Sequence, residues 1–176
     1  MRHAVEAALA TIVVPGAAVI LVPYLILSSQ DPTVSPGLDL ASLLGALLAV
    51  SGAWMVVWVS YSFVAQGKGT PIPIDPPRNF VAHGLFRYVR NPMYVGALLA
   101  LLGETILFRS PWLAVYALGL WLALHTFLVA FEEPQLRRRF GQTYSDYCAS
   151  TPRWIPRRPR THPSAGGAAR PSPPRG

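Results

Sequence analysis

The stretch MYVGALLALLGETILFRSPWLAVYALGLWLALHTFLVAF, residues 93–131, holds two apolar runs on either side of the short polar link FRSPW. A link that short cannot carry the chain across to a distant partner, so the two runs must fold back on each other as an antiparallel helical hairpin. The start of the first run then lies beside the end of the second. That places the sequence RYVRNPMYVG, residues 87–96, next to the adjacent carboxylates Glu132 and Glu133.

The hairpin belongs to a membrane protein. Of the 176 residues 52% are hydrophobic and 13% charged, against roughly 25% charged in an ordinary soluble domain. Four stretches are apolar enough to span a bilayer, residues 4–27, 40–64, 93–108 and 112–131. About 20 helical residues are needed to cross, so the third is short. The expected fold is therefore all-α: about four transmembrane helices, the third and fourth a tight hairpin, followed by an interfacial amphipathic helix. The N-terminal apolar run is longer than the core of a secretory signal and carries Glu6 early, so it reads as a retained helix. The formal charge of +7 sits on the flanks of the spans, which speaks against a nucleic-acid partner and for the lipid bilayer. Lys68, Arg78, Arg87 and Arg90 occupy the middle loop and nine arginines follow Phe131, whereas the first loop has Asp31 and Asp39 and no basic residue. By the positive-inside rule both termini are cytoplasmic in a multi-pass protein of the cell membrane. The single cysteine, Cys148, excludes an internal disulfide, and there is no metal-binding cluster.

Within the second span Gly45, Ala49 and Ala53 recur at four-residue spacing, which admits a neighbouring helix at close range. Trp54, Trp58 and Tyr61 near its end suit the headgroup region. The proline-rich loop with four prolines in residues 71–77 favours an extended course. After Pro134, Leu136, Phe140, Tyr144 and Tyr147 recur at helical spacing beside Arg137, Arg138 and Arg139, the pattern of a helix lying in a phosphate-rich interface. The organisation reads as two N-terminal helices in residues 1–66, a core in 67–156 and a disordered basic tail in 157–176.

At the open end of the hairpin, Asn91 is suited as an N-cap and Pro92 as the first helical residue, leaving backbone N–H groups for an anion. Glu132 and Glu133 stand where Pro134 is expected to stop the helix, and a helix C-terminus disfavours negative charge by about 0.3–1 kcal/mol. Something cationic should compensate: Arg90, the arginines at 137–139, or a bound organic cation held by the carboxylates and the faces of Tyr88 or Tyr94. His125, seven residues before Glu132 and two helical turns away on one face, is an ionisable group at membrane depth. It is either a proton acceptor or a bridge to a neighbouring helix. Glu104 is expected to snorkel or to pair with Arg109, and His83 is a loop residue able to reach a ligand.

The pattern HGLFRYVRNPMYVG, then the hairpin, then EEPQLRRRFGQTYSDYCASTPRWIP, resembles the membrane methyltransferase family that includes isoprenylcysteine carboxyl methyltransferases and phospholipid N-methyltransferases. The resemblance covers about residues 67–156. It implies an integral membrane enzyme that uses S-adenosylmethionine to methylate a lipophilic acceptor at O, N or S. By that similarity Phe86, Arg90, Asn91, Pro92, Met93 and Tyr94 line the cofactor pocket, Glu132 closes it and Glu133 lies nearby. For an acceptor that must lose a proton, His125 and Glu132 are the nearest candidates for catalysis. Two positions depart from the family pattern: Asn91 replaces a histidine, and Leu128 stands where prenylcysteine enzymes carry an arginine for the substrate carboxylate. The competing readings are a steroid-reductase-like enzyme using a reduced nicotinamide dinucleotide, whose phosphates paired glutamates would repel, and a scaffold in which Arg90 and Glu132 merely pair.

Overall fold

The computed structural model describes residues 15–30, 36–65 and 84–158. The start of the first expected span, the proline-rich loop with Lys68, Arg78 and His83, and the basic tail beyond residue 158 lie outside the described residues. Those described form helices and turns, with no strand among them. Helix α1 opens with a π turn, Ala17–Leu21, and continues as Val22–Ser28. Helix α2 is Leu40–Ala65, a 3₁₀ turn is Gly84–Arg87, α3 is Pro92–Phe108 and α4 is Pro111–Phe127. A second π turn, Leu128–Glu132, leads directly into α5, Glu133–Ser150. Two stretches are long and apolar enough to cross a membrane, one within α2, Leu40–Ser62, and the other within the run Pro111–Ser150. The apolar part of that run ends at Phe131. The described part of the first expected span and the third are shorter apolar helices, Ala17–Ser28 and Pro92–Phe108.

The hairpin forms as its short link requires. Helix α3 ends on Arg109, whose left-handed φ of 50° turns the chain, and α4 begins at once with Ser110 as N-cap and Pro111 in its first turn. The Ser110 hydroxyl accepts from Leu113 N and donates to Gln30 Oε1 at 2.9 Å, tying the turn to the end of α1. Arg109 forms an ion pair with Asp39. Asp39 also accepts from Ser42 N and thereby caps α2. Of the two expectations for Glu104, snorkelling or pairing with Arg109, the pairing does not form: Asp39 takes the guanidinium, and Glu104 Oε2 is buried with no hydrogen-bond partner among the described residues.

Helices α2 and α3 pack antiparallel with their backbones in contact. A Cβ placed on Gly45 would lie 2.6 Å from Leu107 N, and one on Gly52 would collide with the backbone of Ala100; one on Gly103 would collide with Ala49. Only glycine fits these positions. The seam is Gly45, Ala49 and Gly52, not the expected Ala53, which is exposed. At ~3.6 residues per turn the eighth residue drifts off a face that the seventh keeps. The opposite face of α2, with Leu43, Leu47, Val50, Trp54, Val57 and Tyr61, is more than half exposed, as a lipid-facing surface must be.

Both π turns end two residues before a proline, Pro23 and Pro134. A proline lacks the N–H that would close an α turn, and the chain widens to i→i+5 bonds just ahead of it: Val22 N to Ala17 O, and Glu133 N to Leu128 O. This corrects the expectation that Pro134 stops the helix. The helix runs on into α5, so Glu132 and Glu133 meet no C-terminal dipole. Nor is α5 one straight interfacial helix. Gly141 adopts φ 55°, ψ −129°, open to glycine alone, and bends it between the arginine run and the tyrosines.

Replacing Gly52 by valine should lower the stability of the purified protein in detergent by about 3 kcal/mol, the upper range for overpacking, because backbone must move on both sides. Ala53→Val should leave the thermal midpoint within about a degree, since its side chain faces outward. Thermal unfolding of the two variants side by side checks the seam.

Candidate active site

Four segments converge at the open end of the hairpin: the 3₁₀ turn with residues 88–91, the first turn of α3, the junction of α4 with α5, and a strap of residues 151–157 that follows α5. The strap is pinned by backbone. Arg90 N donates to Pro152 O at 2.9 Å, and Arg157 N donates to Tyr88 O at 3.0 Å. The Asn91 side chain donates from Nδ2 to Arg153 O at 3.3 Å, and the Tyr147 hydroxyl donates to Phe86 O at 2.7 Å. Asn91 is therefore not the side-chain cap that its position before Pro92 implies. It makes no capping hydrogen bond, so the first-turn N–H groups of α3 remain uncapped by it. Pro92 is the first residue of α3 as expected, and both it and Met93 are buried.

The two glutamates have separate partners. Glu133 Oε1 accepts from Arg90 Nη1 at 3.0 Å and from Arg153 Nε at 2.6 Å, and Oε2 accepts from Arg153 Nη2 at 2.9 Å. The Arg153 contact is a bidentate fork, the strongest common geometry for a carboxylate. Side chains of Arg90 and Glu133 are 12% and 9% exposed, so this pair is shielded from water. Burial alone would push the Glu133 carboxyl up, but the Arg153 hydrogen bond and the charges of Arg90, Arg153 and Arg137 hold it below the ordinary carboxylate range. Glu132 turns elsewhere: its Oε2 accepts from the Tyr94 hydroxyl at 3.4 Å, across the hairpin.

Arg90 has one further partner and one orphan. Its Nη1 lies 3.0 Å from Cys148 Sγ, while its Nε is buried with no partner among the described residues. Phe86 sits in the 3₁₀ turn, half-buried, and Tyr88 beside it is 43% exposed.

His125 does not share a plain α-helical register with Glu132, because the π turn Leu128–Glu132 lies between them and rotates the chain less per residue. The two-turn, same-face spacing is corrected accordingly. The imidazole instead packs in an aromatic group with Trp121 and Trp154, and Nδ1 accepts from Trp154 Nε1 at 3.2 Å. Leu128, at the arginine position of prenylcysteine enzymes, is 1% exposed inside the π turn.

The hairpin thus brings together Arg90, Tyr94, Glu132 and Glu133. It adds Cys148, Arg153 and Trp154, to which sequence reasoning gave no role. The signal for the last two was PRWIP, an arginine and a tryptophan between prolines just past a helix end, a segment that must lie against something.

A profile of phospholipid methyltransferases matches residues 40–143, well over half the chain and all of the hairpin. The chain belongs to the phospholipid methyltransferase family. No curated protein and no solved structure matches it. The matched range ends within α5, so it holds Arg90, Tyr94, Glu132 and Glu133 but not Cys148 or the strap. Membership makes the chain a membrane methyltransferase, and the apolar helices agree.

The sign of the Glu133 shift fixes a pH window. A carboxyl whose folded value is depressed contributes stability that is fully present above the unfolded value, roughly 4.3, and is lost as pH falls through the folded one. The difference in unfolding midpoint between the parent and Glu133→Gln should therefore be constant from pH 5 to 8 and close below about pH 4. At neutral pH the variant should be destabilised by about 3 kcal/mol, as expected when one partner of a buried pair is removed.

Proposed function

We propose that the protein is a four-pass membrane enzyme, with both termini cytoplasmic, that methylates the amine of a phospholipid headgroup using S-adenosylmethionine. The observation that carries the reading is the Tyr94–Glu132 contact across the hairpin, beside an Arg90 whose buried Nε has no partner among the described residues. These groups fit the donor. A buried guanidinium N–H and the uncapped N–H groups at the start of α3 suit its carboxylate, and the Glu132 carboxylate suits its ammonium or sulfonium field. When bound, this cofactor supplies a methyl carbon made electrophilic by a sulfonium leaving group.

What the chain itself must do is align, dry and deprotonate. In-line displacement gains most from fixed geometry and exclusion of water, which a site built from two helix ends and a strap provides. Glu133, held by two arginines, keeps Arg90 in place and stays ionised. A phospholipid ammonium has no lone pair until it loses a proton; Glu132, with one oxygen engaged by Tyr94 among the described residues, has lone pairs to take it. The amine would then form the N–C bond with the pair thus freed, as the methyl–sulfur bond breaks and its electron pair stays on sulfur. The family match favours an amine over the isoprenoid-type carboxylate. So does Leu128, which offers no cation to a carboxylate. The match also favours methyl transfer over the nicotinamide-dependent reductase and scaffold readings.

Calorimetry on the purified protein in detergent should register S-adenosylhomocysteine binding, weakened about tenfold or more by Glu132→Gln and by Arg90→Lys. Absence of binding by the parent overturns the cofactor assignment. Labelled methyl donor incubated with defined vesicles should label phosphatidylethanolamine, and labelling of a prenyl carboxylate instead would overturn the acceptor class.

A further inference from the structure

The strap lies beyond the family match, yet Trp154 reaches from it to the one histidine of the hairpin. Its ring stacks on His125 with centroids 6.2 Å apart and planes at 27°, and Trp121 flanks both at 5.6 and 6.3 Å. Between the rings runs the hydrogen bond from Trp154 Nε1 to His125 Nδ1. An indole nitrogen can only donate. Nδ1 must therefore present its lone pair, and a neutral His125 carries its proton on Nε2. Nε2 has no hydrogen-bond partner among the described residues.

We propose that Trp154 is a positioning residue that locks His125 in the Nε2–H tautomer, so that its Nε2 is a hydrogen-bond donor and His125 is not the group that takes the acceptor's proton. Both nitrogens are accounted for: one lone pair is held by the indole, and the other nitrogen already bears a hydrogen. A histidine serving as base would need a free lone pair facing the substrate, and the lock removes it. The bent end of α5 and the backbone bonds from Arg90 to Pro152 and from Arg157 to Tyr88 hold Trp154 in register. The tautomer follows from the chemistry of indole whatever reaction the protein performs; its consequence for methyl transfer rests on the function proposed above.

The test is nitrogen-15 spectroscopy of histidine-labelled full-length protein in detergent, at a pH where imidazole is neutral. His125 is assigned among the four histidines by difference with His125→Gln. The parent should show Nε2 protonated and Nδ1 not. Trp154→Phe keeps an aromatic ring but has no N–H, and should convert this into a mixture of both tautomers. In the same variant S-adenosylhomocysteine affinity should stay within about twofold. A parent spectrum with Nδ1 protonated overturns the proposal, and so does a Trp154→Phe spectrum identical to the parent's. Should Trp154→Phe fail to fold, the parent spectrum still decides the tautomer. A parent protein with the expected tautomer but neither cofactor binding nor methyl transfer would overturn the proposed function and leave the lock standing.

Discussion

Glu133 is a single carboxylate gripped by two guanidiniums, and the arrangement of the open end of the hairpin depends on that grip. Arg90 comes from the chain just before α3, Glu133 from the start of α5 and Arg153 from the strap, so three segments distant in sequence meet at one charge. A shielded carboxylate facing one arginine could be satisfied by a local pair. Facing two, it fixes the separation of the segments that carry them, because the Arg153 fork has one good geometry. The backbone bonds of the strap then follow the same placement, with Asn91 and Arg90 both engaging carbonyls of residues 152 and 153.

That charge cluster needs a rigid base, and the contact of α2 with α3 supplies it. Glycines at 45, 52 and 103 let two backbones touch, which leaves little freedom for α3 to slide or tilt. In a bilayer no hydrophobic force drives helices together, so such close packing is the main source of helix–helix attraction. The other end of the hairpin is held by the Arg109–Asp39 pair and the Ser110–Gln30 bond. Tyr94 and Glu132 can therefore face each other across the gap with little motion to average out.

Much of this was legible because it follows from chain length and apolar runs. The FRSPW link dictated the hairpin, and the hairpin dictated that Arg90 and Tyr94 approach Glu132 and Glu133. The partner of each glutamate was not legible, since Arg90, the arginines at 137–139 and a bound cation satisfied the same charge count, and Arg153 lay past a bend no periodicity announces. Gly141 broke the period: Leu136, Phe140, Tyr144 and Tyr147 look like one helical face, but a residue at φ 55° separates the first two from the last two. Asn91 misled for a different reason. Asparagine before proline is a sound cap in isolation, but here its amide is oriented so that Nδ2 donates to the strap carbonyl of Arg153, and its Oδ1 caps no N–H of α3.

Pro134 is where local rule and tertiary structure diverge most usefully. Read alone it ends a helix; in the structure it sits in the first turn of α5, and the missing N–H is absorbed by the π turn before it. The widening shifts the phase between the membrane-embedded half of the helix, with His125, and the half that carries the carboxylates. Adjacent helical residues point about 100° apart. With that phase set, Glu132 turns to Tyr94 while Glu133 turns to the arginines. One proline thus sets the phase in which one carboxylate meets the arginines and the other meets Tyr94, and an uninterrupted α-helix would have aimed both differently.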